Sequence, residues 1–417
     1  MTEDRRTRRN YRVLLGHGVA TNAAKELTSV KLVLPFLYTS VGAPVFFAGL
    51  LVPIATAAKI GVQILVAPFV SAARSNKGFM VLAALSTALA LVLISLTLNV
   101  VSVPWLVPIF LFVALVLGAA GGLGSLAFQS LIGKTLPDEH RSRLLFTQSS
   151  LAGMFAVIVA FTSLLVLQPG TSLVAHQELM WLAIGLFLLS ALVVTAVRET
   201  VARQLSDDHD GHENRNSRVA ELLDGFRIAL ALPWFRRFLV ARTLYLSIEL
   251  AMPFFSIHAA SFHGSSVIGL NAFVIASSIG LVVGGLFWPK IGKSSVSTIL
   301  VLAAGMTCAG GLLAMAIELN LVSQGVYLYA IVFVLVSVGA QGIHNGRTLY
   351  LIGATTDRER PYCIAASSVS IGLVAIVFGA VLGALASFRG VAWPIFALIV
   401  LNVLAALYSL KLRDTHL

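Results

Sequence analysis

Charge is what this chain has least of. Only 11% of its 417 residues are Asp, Glu, Lys or Arg, 58% are hydrophobic, and the mean hydropathy is +0.92. Soluble globular domains carry about 25% charged residues, so this composition excludes one and indicates an integral membrane protein. Cysteine is almost missing as well. Cys308 and Cys363 lie far apart with no CxxC spacing, and they read as membrane-buried thiols rather than a disulfide or a metal site. There is no P-loop, no HExxH, no GxSxG and no long soluble domain, which argues against an enzyme and predicts no cofactor. Without a nucleotide motif, any transport must draw on an ion or substrate gradient. The absence of an Asn-x-Ser/Thr sequon fits a bacterial cytoplasmic (inner) membrane.

What the chain has instead is apolar runs, many near the ~20 residues a helix needs to cross a bilayer. Alternating segments of about ten residues, the mark of a membrane barrel, are missing, so helices are the spanning element. The runs predict an all-α polytopic protein with spans at about 12–41, 44–72, 78–98, 103–132, 144–168, 178–198, 235–262, 265–289, 296–317, 323–352, 363–386 and 390–411. The basic start, "MTEDRRTRRNYR", leads into a run too long for a signal-peptide core and without a small-residue cleavage site, so no cleaved signal is expected.

The net charge of +11 invites a nucleic-acid reading, which its distribution removes. Arg5, Arg6, Arg8 and Arg9 precede the first span, and Arg74, Lys77, Lys134, Arg141, Arg143, Lys290, Lys293, Arg358, Arg360, Lys411 and Arg413 follow even-numbered spans. The opposite loops offer Arg389 alone. This positive-inside bias predicts that both termini are cytoplasmic, with the bilayer and no nucleic acid as partner.

One long polar stretch interrupts the spans, "RETVARQLSDDHDGHENRNSR" and the amphipathic segment after it. It divides the chain into residues 1–198, a cytoplasmic linker at 199–234, and residues 235–417. Val219, Leu222, Leu223 and Phe226 fall at helical spacing and predict a helix lying on the membrane face. The tract Asp207, Asp208, His209, Asp210, His212 and Glu213 reads as solvated linker, with no metal. Across the linker, phrases recur in order. "VKLVLPF" from Val30 returns as "IELAMPF" from Ile248, "LIGKTLPDEHR" from Leu131 as "LIGATTDRER" from Leu351, and "GAAG" from Gly118 as "GAQG" from Gly339. The offset drifts by only a few residues, as a colinear duplication requires.

Six spans, a cytoplasmic linker and six more, duplicated, resemble the major facilitator superfamily of transporters over nearly the whole chain. The resemblance implies twelve transmembrane helices in two pseudo-symmetric six-helix bundles, a central cavity and alternating access. It also implies a monomer, with the first and seventh spans facing the cavity from matching positions. "PDEHRSR" at 137–143 and "DRER" at 357–360 are similar to the family's acidic-Arg loop, whereas "PFVSAARSNKG" lacks the Asp usual after the second span.

Charges within spans then become functional candidates, since each costs ~2.5–3.5 kcal/mol at a helix centre unless it meets water or a partner. Lys31 lies ~17 Å in from the outer end of its span at helical rise. Lys59 and Glu249 have similar depth, with Lys25, Glu26 and Arg242 nearer the cytoplasm. Thr21, Lys25, Thr28 and Lys31 form one polar stripe, and Arg242, Tyr245, Glu249 and Ser256 another. Lys31 and Glu249 either pair across the halves or bind substrate, and Arg347 either adds to the site or sits at the cytoplasmic interface. Four cations, Lys25, Lys31, Lys59 and Arg242, against two carboxylates, Glu26 and Glu249, leave two positive charges in excess. The excess predicts an anionic or zwitterionic small-molecule substrate, bound by Lys31, Lys59, Arg242, Tyr245, Lys25, Gln341 and Asn345. Glu249 and Glu26 are the candidate gate or proton-coupling groups. Pro35 and Pro253 predict helix bends, the glycines at 118–124 and 282–286 predict close helix packing, and His258 and His263 read as interfacial. Proton-driven efflux of lipophilic compounds, lipid movement and a non-transporting role remain alternatives.

Overall fold

Uncharged runs of Leu, Val, Ala and Phe leave a lipid-embedded backbone no water to bond, and the α-helix answers by pairing each N–H with the carbonyl four residues back. The computed structural model is all-α among the residues it describes, which exclude positions 1, 74, 99, 137–143, 145–146, 149–150, 156, 159–160, 162–171, 200–226, 228, 265, 267, 292–295, 355–359 and 411–417. Its helices are α1 (Thr2–Leu27), α2 (Val33–Ser40), α3 (Val45–Ala72), α4 (Lys77–Thr97), α5 (Val103–Thr135), α6 (Ser172–Thr195), α7 (Pro233–Leu244), α8 (Leu246–His263), α9 (Gly269–Ile291), α10 (Val296–Glu318), α11 (Val326–Ala354), α12 (Arg360–Arg389) and α13 (Ala392–Ser409). Among the described residues, ten helical stretches are long and apolar enough to cross a bilayer. The acidic-Arg loop at 137–143, most of the expected fifth span, the Asp/His tract and most of the linker with its amphipathic helix lie outside the described residues.

The expected first span is not one helix. It breaks at residues 28–32, between α1 and α2, and Lys31 sits in the break. Pro35 supplies the reason, because a proline has no N–H for the carbonyl four residues earlier, which here belongs to Lys31. The Ser29 carbonyl instead gathers the amides of Leu32, Val33 and Leu34 at 3.3, 2.8 and 3.2 Å. The seventh span is interrupted at Tyr245, between α7 and α8. There the one Ser247 hydroxyl proton has two acceptors in reach, the Leu244 carbonyl at 2.7 Å and Asn402 Oδ1. In α8, Pro253 likewise withholds an amide from the carbonyl of Glu249. The two breaks therefore fall in matching parts of the two repeats.

Packing draws helices into neighbours from the same half. α1 lies on α6, α3 on α5, and α4 on both α5 and α6, while α9 and α10 lie on α11 and α10 on α13. Small residues set the closest approaches. A Cβ added at Gly118 or Gly122 of α5 would collide with the backbone of Ala55 or Lys59 in α3, whereas one at Gly121 would meet nothing within 4 Å. Gly339 of α11 is closed in the same way by Ala303 and Thr307 of α10.

The two most extensive contacts between the halves are these. α2 packs on α8, where Ser256 Oγ donates to the Leu32 carbonyl at 2.5 Å and Gly264 lies against Ser40. α3 packs on α12, where Gly49, Gly379 and Gly383 bring backbone against backbone beside Pro53. At the opposite face, where α1 begins, the bonds found among the described residues stay within the first half. Glu199 accepts from Ser75 Oγ and from the amides of Asn76 and Lys77 at 2.6, 2.8 and 3.2 Å, capping α4, and Lys134 Nζ donates to the Ala73 carbonyl at 3.0 Å. These contacts occupy the turn from which the expected Asp is missing.

Candidate functional site

A lysine in a membrane span has to find water or a partner, and the broken helices decide which. Residues Val33–Tyr38 of α2 are buried without exception, as is nearly all of α8, so the end of the molecule beyond Leu32 is sealed. Below the seal, the side chains of Lys25, Lys31, Lys59 and His344 are solvent-exposed, and those of Glu26, Arg242, Glu249, Asn345 and Arg347 are partly so.

These groups act on one another across the halves. Lys31 is within Coulombic reach of Glu26 on its own side and of Arg347 on the other. Lys59 reaches Lys31 and Arg347, Lys25 reaches Lys59 and Glu26, and Arg242 reaches both Arg347 and His344. One charged cluster, from α1, the break after it, α3, α7, α8 and α11, thus brings within mutual reach six of the nine residues singled out from sequence, Lys25, Glu26, Lys31, Lys59, Arg242 and Glu249. Packing fixes part of this geometry: Gly122 lets α5 press on the backbone of Lys59.

Its pairing is uneven. Glu249 accepts a hydrogen bond and ion pair from Arg347 Nη1, whose Nη2 reaches His344 Nδ1 at 3.2 Å. Glu249 is therefore committed within its own half, not to Lys31. Among the described residues no acceptor bonds the amino group of Lys25, Lys31 or Lys59, and Arg242 Nε is buried without a partner. Counting Arg347, five cations face two carboxylates, leaving three formal positive charges in excess. Unpaired cations held in one place are a template for an anion, because each regains through the ligand part of the hydration it gave up.

Two predicted ligands go elsewhere. Tyr245 is 3% exposed and its hydroxyl bonds Ser409 Oγ at 2.7 Å, so it staples the α7–α8 break to α13. Gln341 packs on Gly284 of α9, with Oε1 buried and unbonded, and the structure does not bring it among the charges. Asn345 is next to His344 and partly accessible. Arg347, left between cleft and interface by the sequence, lies in the cleft. The signal was its spacing, three residues after His344, which puts both on one helical face.

Residues 26–345 match the model of the Major Facilitator Superfamily. The chain is 30% identical over 412 residues to Uncharacterized protein Rv2209 of Mycobacterium tuberculosis (strain ATCC 25618 / H37Rv), an alignment covering 95% of this chain and 76% of the relative. Uncharacterized protein Mb2232 of Mycobacterium bovis aligns with the same figures. Among solved structures, the D-xylose-proton symporter superposes with a TM-score of 0.69 at 14% identity, covering 97% of this chain and 98% of the other. The nucleoside transporter NupG gives 0.67 at 12%, covering 97% and 98%. A bacterial homologue of the human lysosomal transporter Spinster, in an inward-facing and unoccupied conformation, gives 0.63 at 15%, covering 97% of both chains. At such identities the superpositions show a shared fold. With a family model spanning most of the sequence and a relative aligned along nearly all of it, the chain belongs to the Major Facilitator Superfamily.

Proposed function

We propose that this chain is a secondary active transporter that moves an anionic or zwitterionic small organic solute across the cytoplasmic membrane by alternating access. In this reading twelve spans form two six-helix bundles, residues 1–198 and 235–417, joined by a cytoplasmic linker at 199–234. The protein works as a monomer with both termini in the cytoplasm, so the sealed end is the outer one and the cleft opens inward. The observation that carries the reading is the set of unpartnered cations: Lys25, Lys31, Lys59 and Arg242 converge where, among the described residues, Glu26 and Glu249 alone oppose them. A lipophilic cation would meet net repulsion there, which disfavours efflux of such compounds.

The mechanism follows from competition. A carboxylate or phosphate entering the cleft bonds Lys31 and Lys59 from the first half and Arg242 from the second, with Lys25 and Asn345 nearby. It also contests Arg347 with Glu249. A ligand that touches both halves favours their approach around it, so binding energy is spent on closing the inner opening and loosening the outer contact.

A thermal-stabilisation screen of the purified protein tests this, comparing organic carboxylates, phosphorylated metabolites, anionic lipids and lipophilic cations. A ligand at one hundred times its dissociation constant adds ~2.7 kcal/mol, a shift easily measured. The expected result is stabilisation by one class of small anion, lost in Lys31→Ala. Stabilisation by cations alone, or by anions equally well in Lys31→Ala, would overturn the reading.

A further inference from the structure

Away from the cleft, near the sealed end, His258 of α8 is 1% exposed and yet fully bonded. Its Nε2 lies 3.0 Å from Glu318 Oε2 and its Nδ1 2.5 Å from the Tyr329 hydroxyl. A carboxylate can only accept, so Nε2 carries the ring proton and Nδ1 accepts from tyrosine. The Tyr329 hydroxyl has a second acceptor in reach, the Phe255 carbonyl at 3.4 Å. Glu318, at the end of α10, is 37% exposed and joins the buried ring to water.

We propose that His258, Glu318 and Tyr329 form a proton-binding site that loads one proton from the outer side of the membrane and drives the transport cycle. One proton comes from water and no covalent bond other than the new N–H changes. The imidazole becomes an imidazolium whose Nε2–H still donates to Glu318. Its new Nδ1–H donates to the Tyr329 oxygen, and the tyrosine O–H turns to the Phe255 carbonyl. Every polar group keeps a partner in both states, and this is the feature that distinguishes a loading site from a buried histidine that merely packs. Phe255 precedes Ser256, whose hydroxyl ties α8 to Leu32 of the other half, so the acceptor that changes lies next to the contact sealing the outer end.

The ionisable surroundings are few. From the packed elements Glu318 of α10 and Tyr329 of α11 bond the ring, and His263 of α8 itself meets Tyr329 edge-on, their ring centres 6.0 Å apart. α9 contributes Phe273 to this aromatic group and α2 contributes Phe36. The remaining ionisable groups on helices packed against α8 are Tyr38 (α2), Lys59 (α3), Arg236, Arg237 and Arg242 (α7), Cys308 (α10), Tyr327, His344, Arg347 and Tyr350 (α11), Arg360, Tyr362, Cys363 and Arg389 (α12), and Tyr408 (α13). Among the described side chains, those that bond the imidazole are Glu318 and Tyr329.

The proposal rests on alternating access but not on the charge of the solute, so its test uses none. Val100, 83% exposed, and Leu321, 73% exposed, lie in turns on opposite halves. Nitroxides on Val100→Cys and Leu321→Cys, with Cys308→Ala and Cys363→Ala, report the outer distance by pulsed electron resonance on the full chain in lipid nanodiscs. Between about pH 7.5 and about pH 5.5, where histidine changes charge, the distance distribution should shift toward longer values. His258→Gln should abolish the shift. Glu318→Gln, which removes the anion that favours imidazolium, should move its midpoint down by about one pH unit or more. Glu178→Gln, an exposed carboxylate on α6 of the other half, should leave the midpoint where it is. A pH-independent distance in the parent protein, a shift that survives His258→Gln, a midpoint unmoved by Glu318→Gln or one abolished by Glu178→Gln would each overturn the proposal. If His258→Gln fails to fold, the partly exposed Glu318→Gln still decides.

Discussion

Lys31 and Glu249 occupy equivalent places in the two repeats, and their fates differ because of what stands opposite each. Glu249 faces α11, where Arg347 presents a guanidinium, and the two form an ion pair whose side chains are 31% and 20% exposed. Lys31 faces the cleft from a helix break and has water for company. Removing Glu249 leaves Arg347 unneutralised beside Arg242. A fully buried pair broken this way loses ~3–5 kcal/mol, and access to water reduces the expected loss here to about 1–2 kcal/mol. Glu249→Gln should therefore melt earlier, and anions should rescue it more strongly than the parent protein because Arg347 has become available. Equal rescue in both would mean that Arg347 is no part of the anion site. The pairing of Glu249 could not be read from the chain: which of several cations reaches a carboxylate depends on how α8 packs on α11. His258 was equally hidden, since Glu318 and Tyr329 are 60 and 71 residues away from it.

At the scale of helices the chain was more legible. Apolar runs and their Gly or Pro punctuation place the described spans close to where they lie, because in lipid a run of ~20 apolar residues has few alternatives to a helix. The repeated phrases fall in the two spans that carry the breaks. What they do not convey is that both spans come apart, because a proline within a helix signals a bend or a break with equal force. The glycine cluster in α5 allows a sharp test of packing. Gly118→Ala places a methyl into the backbone of Ala55 and should destabilise by about 1–3 kcal/mol, whereas Gly121→Ala, one turn-fraction away with open space, should be neutral or slightly stabilising. Thermal melting of the two variants side by side is the check, and equal losses would refute the assigned α3–α5 contact.

For the molecule as a whole, the sealed and open ends make access directional. A cysteine at position 25, on the exposed polar face of α1, should react with a membrane-impermeant maleimide in inside-out vesicles at least about tenfold faster than in right-side-out ones, since the sealed end excludes the reagent. Comparable rates from both sides would contradict the inward opening proposed above. The long contact of α3 with α12 has a different kind of consequence. Where Gly49, Gly379 and Gly383 lay bare backbone on bare backbone, there are few side-chain knobs to lift from their holes when the halves tilt. If the halves rock as proposed, such a seam would serve as an axle, bearing load throughout the motion while offering little resistance to rotation. Bulk added there should jam turnover and leave affinity for the solute almost untouched.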